Sequence, residues 1–103
     1  MKLFKKEEKK IVIDGYLFNC FIDQTSENEM ISFKIYPSRI KTSYYLVLFS
    51  WRVNWSTNLV KPSVCACIIK YAIKTGWDYT KEKNIVKIEQ GDYLIGELSL
   101  ESY

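Results

Sequence analysis

Cys65-x-Cys67 brings two thiols close together in the chain, and a thiol pair is the first grouping here that could hold a metal. Structural zinc half-sites space their cysteines more widely and need a second Cys or His pair. The third cysteine is Cys20, far away in sequence, and there is no histidine. On a helix, residues two apart diverge by about 200°. The three thiols are therefore expected to pack as small hydrophobes, with no metal and no cofactor. The missing histidine also removes Ser-His-Asp and Cys-His nucleophile activation and the commonest general acid–base group. Carboxylates could still move protons, and Asp78, Glu82, Asp92 and Glu97 fall in one late acidic segment. No pair among them has diagnostic spacing, so they read as solvated charge rather than as catalysts. Gly15, Gly76, Gly91 and Gly96 are dispersed, which leaves no phosphate-cradling loop. Trp51, Trp55 and Trp77 could stack a ligand or a base, but strand face and helix cap alone explain their positions, so they are read as core and cap. The expectation is a protein that is not an enzyme.

Charge is the next candidate. The net charge is only +3, but it is segregated. Residues 1–10 carry five Lys and two Glu, and residues 11–29 carry four acids and no base. Residues 30–77 hold seven bases (Lys34, Arg39, Lys41, Arg52, Lys61, Lys70 and Lys74) and no acid, and residues 78–103 hold six acids and three Lys. The basic 30–77 segment, with Tyr36 or Tyr44 for stacking, could bind nucleic acid weakly through phosphates. Against that, residues 11–103 contain ten bases and ten acids, and no recognition motif is present.

The elements that would position these groups are legible. At 103 residues, 48% hydrophobic and 16% aromatic, the chain is expected to form a single domain over 1–103 with one modest core. The basic start reads as a flexible arm over residues 1–9. Asp14-Gly15 between apolar runs is a strong hairpin signal, because a type I′ turn needs positive φ at both central residues. A two-residue loop pairs Ile13 with Tyr16 and Ile11 with Phe18, which puts Ile11, Ile13, Tyr16, Phe18, Cys20 and Ile22 on one face. DQTSENE is polar loop, residues 30–36 are a third strand, and residues 44–55, YYLVLFSWRVNW, read as one long fourth strand. Pro62 opens a helix that runs to about Thr75. Its apolar stripe is Val64, Cys65, Ile68, Ile69, Ala72 and Ile73, with Lys70 and Lys74 on the wet side. Gly76 then stands as the capping glycine and Trp77 folds back on the last turn. A strand over 85–89 follows, and Gly91-Asp92 suggests a II′ turn into a last strand over 93–98, with a short terminal helix as the alternative.

Part of this arrangement resembles a pattern in small uncharacterised bacterial proteins. The residues that carry it are Arg52-Val53-Asn54-Trp55, Lys61-Pro62-Ser63-Val64, Ile69, Ala72 and Gly76-Trp77-Asp78. In that pattern a strand leads into a Pro-opened helix, the helix ends in Gly-Trp, and one more strand follows. Lys61 departs from it, since Thr is common just before the Pro. The resemblance implies a small α+β domain of bacterial or phage source and carries no activity.

The expected fold is α+β: an antiparallel meander of about four strands, one helix on one face, and one or two C-terminal strands. One helix covers only one face of such a sheet. The other face collects Val12, Leu17, Phe21, Lys34, Tyr36, Leu46, Leu48, Arg52 and Asn54, apolar in the middle with polar groups around it. Apolar patches of that kind mark interfaces, unless the C-terminal segment or a curl of the sheet covers them. The functional expectation is a cytoplasmic, non-enzymatic interaction protein, either an inhibitor or immunity-type protein or a homodimer. A nucleic-acid-binding protein is the alternative. No run of residues is long and apolar enough to span a membrane.

Overall fold

The sheet starts at the Asp14-Gly15 turn, where both residues adopt positive φ, 50° and 86°. The turn joins β1 (Lys5–Ile13) to β2 (Tyr16–Gln24) in the expected register, Ile13 opposite Tyr16 and Ile11 opposite Phe18. β3 (Met30–Pro37) and β4 (Tyr44–Ser50) continue as antiparallel neighbours. This computed structural model describes residues 5–24, 30–50, 59 and 61–100. The fourth strand is therefore seen to Ser50. Residues 51–55, with Trp51, Arg52, Asn54 and Trp55, lie outside the described residues.

Three features correct, extend or decide between these expectations. First, the segment read as an arm is strand from Lys5 onward, because β2 is long enough to pair with all of it, down to Lys5 opposite Gln24. KKEEKK has no strand-like apolar alternation, so its extension comes from the neighbour and not from local preference. Second, β5 (Ile85–Ile88) lies beside β4 and parallel to it. A parallel neighbour needs a crossover, and α1 (Pro62–Lys74) lies within that connection. The sheet is thus mixed, in the order β1-β2-β3-β4-β5. Third, of the two alternatives for the segment after Gly91 the short helix forms and the final hairpin does not. Residues Tyr93–Glu97 are a short helix, α2. The Gly91 N–H donates to the Leu48 carbonyl at 2.8 Å instead of closing a hairpin turn. The Asp92 carboxylate accepts from the Ser50 N–H at 2.8 Å and from its hydroxyl at 2.5 Å. These bonds tie the chain after β5 to the end of β4, and among the described residues no strand follows.

The core lies between one sheet face and α1. Phe18, Cys20, Ile22, Phe33, Ile35, Tyr45, Val47 and Phe49 alternate inward from β2, β3 and β4. Val64, Cys65, Ile68, Ile69 and Ala72 meet them from the helix, the stripe read from sequence. Pro62 sits in the first turn, where its missing N–H has no intrahelical partner to lose. At the other end the Trp77 N–H reaches the Ala72 carbonyl at 3.0 Å and the Gly76 N–H reaches that of Ile73 at 3.2 Å. This pair of bonds is the Schellman motif, and Gly76 takes φ 115° to make it. A Cβ at Gly76 would meet nothing within 4 Å, so Gly76→Ala should cost only the backbone strain, about 1 kcal/mol. A thermal melt of the variant that overlays the parent would show the cap assignment to be wrong. No helix among the described residues is long and apolar enough to cross a membrane.

Candidate interaction surface

The groups read as possible chemistry mostly hold the fold. Cys20 and Cys65 are both buried and touch across β2 and α1. Their hydrogen bond and burial push the Cys20 thiol far up, so it stays protonated and inert. The Cys65 thiol lies 3.5 Å from the Leu59 carbonyl, while half-buried Cys67 points to that of Leu98 at 3.9 Å. The pair therefore diverges as helix geometry requires. Asp78 accepts from the Thr80 N–H at 3.0 Å and from its hydroxyl at 2.5 Å, which holds its carboxyl below the usual range. Asp92 clamps Ser50, and Glu97 accepts from the Tyr71 hydroxyl at 3.3 Å. Partial burial, with Tyr93 and Glu97 alongside, pushes that hydroxyl up to about 12 and keeps it a donor. Among the described residues no three Cys, Asp or Glu converge as a metal site would require.

What is left is the sheet face turned away from α1. Register decides which side chains meet there. Glu8, Phe21, Lys34, Leu46 and Lys87 stand in one row across all five strands. Asp23, Ser32 and Leu48 form the row on one side, and Asn19 and Tyr36 the row on the other. Val12 sits opposite Leu17 at the turn end, about 13 Å along β2 from Phe21 at ~3.4 Å per residue. Val12 is 63% exposed, Leu17 40%, Phe21 38% and Ile85 52%, while Lys34, Tyr36, Leu46 and Leu48 are half-buried.

This placement keeps the expected face and changes its layout. Lys34 is not a rim charge, because register sets it between Phe21 and Leu46 at the centre. Its ammonium lies 4.3 Å from the Tyr44 ring centroid and 6.0 Å from that of Tyr36. Such cation–π contacts let a cation sit among apolar neighbours. Asn19, which the alternation of β2 puts on the same side as Leu17 and Phe21, is buried and donates to the Ser38 hydroxyl at 2.9 Å, since the chain after β3 folds over it. Asn19 thus separates Val12 and Leu17 from the Phe21 patch. The expected rim residues Arg52 and Asn54 lie outside the described residues.

A shallow depression of about 400 Å³ lies between Phe21, Lys34, Tyr36 and Leu46, with Asp23, Ser32 and Lys41 at its margin. The Oδ1 of Asp23 is shielded from solvent and accepts no hydrogen bond. As far as Leu100, the last described residue, the C-terminal segment does not cover this face. Leu94 is buried in the core, and Ile95, Leu98 and Leu100 pack against it on the helix side. Ile85, Lys41 and Asp23 were missed as members of the surface. Asp23 was legible from the β2 alternation, whereas Ile85 needed the direction and register of β5.

Compared with family models, with curated proteins and with solved structures, the chain matches none of them.

Proposed function

We propose that the protein is a non-enzymatic interaction module that binds another protein surface through the open sheet face. The observation that carries this reading is the row Phe21–Lys34–Leu46 with Leu48 beside it, apolar side chains left in contact with solvent in the middle of a five-stranded sheet. Such patches are uncommon on proteins that act alone. Fully burying an apolar side chain of this size is worth about 1.5–3 kcal/mol, so a few of them can hold a complex together. The complementary surface would be apolar, with an acceptor for Lys34. A second copy of the chain and an unrelated protein that the chain inhibits are both such surfaces. Nucleic acid draws less support. Lys34 is engaged with the tyrosines that would stack bases, and Lys70 and Lys74 are exposed on the helix, away from the sheet face.

Leu48→Glu should leave the fold intact and abolish association. Circular dichroism checks the fold, and sedimentation of parent and variant reads the association. A dimeric parent and a monomeric variant identify the partner as a second copy. A monomeric parent whose co-purifying host protein is lost in the variant identifies an unrelated partner. A monomeric parent that retains no partner defeats the reading, and a variant that unfolds places Leu48 in a second core.

A further inference from the structure

At the turn end of the sheet, three connections converge on a separate cavity of about 680 Å³, a volume usual for small-molecule sites. They are the β1–β2 turn, the chain between β3 and β4, and the chain between α1 and β5. Hydrogen bonds hold them in place. The Ser38 N–H donates to the Leu17 carbonyl at 3.0 Å, and the Asn19 amide to the Ser38 hydroxyl at 2.9 Å. The buried Ser43 hydroxyl donates to the Asn84 carbonyl at 3.1 Å, and the Lys83 N–H to the Thr42 hydroxyl at 3.1 Å. The walls are therefore formed without a ligand.

The lining is mainly apolar and aromatic: Tyr16, Leu17, Pro37, Ile40 and Tyr79, with Arg39 the cationic side chain among the described lining residues. The Tyr16 and Tyr79 rings meet edge to face at 5.1 Å. Tyr79 is fixed from behind by Phe18 at 5.1 Å and Trp77 at 6.1 Å. Rings held in this way suit a flat aromatic guest. Arg39 is exposed and forms no ion pair among the described residues, so its fork of donors is free for a carboxylate.

We propose that this cavity binds a small planar aromatic molecule that carries a single negative charge, the ring against Tyr16 and Tyr79 and the anion on Arg39. The acids nearby limit that charge. Asp14 directly precedes Gly15 of the lining and Asp78 directly precedes Tyr79, so both carboxylates flank the cavity, and burial, then Tyr16 and these two carboxylates, raise the Tyr79 pKa. Lys81 offsets Asp78 only at 3.9 Å and from an exposed position. A polyphosphate or a nucleic-acid strand would meet these carboxylates, whereas one carboxylate on Arg39 is kept away from them. The neutral Tyr79 hydroxyl adds a donor or an acceptor.

The test is an amide-resolved NMR titration of the whole protein with naphthalene-2-carboxylate, and with naphthalene-2-carboxamide as its uncharged isostere. Saturable shifts are expected at Gly15, Tyr16, Ser38, Arg39 and Thr80, with the carboxylate bound at least about tenfold more tightly than the amide. Arg39→Gln should abolish that preference and leave the spectrum otherwise folded, since Arg39 is exposed. No saturable shift, shifts centred on Phe21 and Leu46 instead, equal binding of acid and amide to the parent, or an acid preference that survives Arg39→Gln would each overturn the assignment.

Discussion

Trp77→Ala is expected to destabilise the protein by about 3–5 kcal/mol, the range for removing a large buried aromatic. The side chain is 3% exposed and joins the elements of the core. Its ring lies 6.0 Å from Phe18 of β2, 5.9 Å from Tyr45 of β4 and 6.1 Å from Tyr79 in the following loop. Its indole N–H donates to the Asn84 carbonyl at 3.3 Å. That carbonyl also accepts from the Tyr44 N–H at 3.1 Å and from the Ser43 hydroxyl at 3.1 Å. Losing the indole donor therefore leaves no orphan acceptor, and the cost falls on packing. Trp77→Phe should accordingly recover most of the loss. In a domain of this size each kcal/mol moves the melting midpoint by about 4–8 °C. Total stability is only about 5–15 kcal/mol, so the alanine variant should lose a large fraction of it. Urea titrations followed by circular dichroism measure both variants. A phenylalanine variant as unstable as the alanine one would show that the indole hydrogen bond, not the ring, carries the contribution.

Trp77 was legible before any coordinates because its signals are local. Pro62, a stripe of period 3.6 and Gly-Trp after it lie within one helix length, and each specifies part of the same cap. The first hairpin was legible for the same reason: the turn chemistry of Asp14-Gly15 and the alternation on either side agree on one register. What was misread or left open depends on contacts far apart in the chain. β1 is a strand from Lys5 because β2 extends to Gln24, and its lysines suit an edge strand, where charge discourages pairing with another chain. The direction of β5 is not encoded in IVKI, whose alternation fits either orientation. For the candidate surface, the alternation of β2, β3 and β4 separates Phe21, Lys34, Tyr36, Leu46 and Leu48 from the core face, but it did not reveal the cover over Asn19, and only the inter-strand register puts Lys34 at the centre. The end cavity left no trace in the pattern, since three connections contribute one or a few residues each.

Gly91→Ala is expected to cost about 1–3 kcal/mol through overpacking, although the same change at Gly96 should be neutral or stabilising. Both glycines sit near the end of the chain, and sequence alone does not separate them. A Cβ at Gly91 would overlap the Val47 Cγ1 and lie 3.1 Å from the Leu48 carbonyl oxygen. Neither neighbour can yield easily. Val47 is fully buried between Phe33 of β3 and Ile88 of β5 in register, and the Leu48 carbonyl is held by the Gly91 N–H itself at 2.8 Å. The close approach brings the chain after β5 down onto β4, which allows Asp92 to reach Ser50 and aims α2 at the core. Moving Gly91 outward would weaken all three contacts together. At Gly96, inside α2, a Cβ meets nothing within 4 Å, and alanine there gains about 0.5–1 kcal/mol of helix preference. Val47→Ala should relieve the overlap, so the double variant Val47→Ala with Gly91→Ala should be more stable than the sum of the two single changes predicts. Chemical denaturation of the four proteins completes the cycle. Strict additivity would show that the cost of a side chain at Gly91 comes from something other than its contact with Val47, and equal effects at Gly91 and Gly96 would remove the close approach as the reason no final hairpin forms.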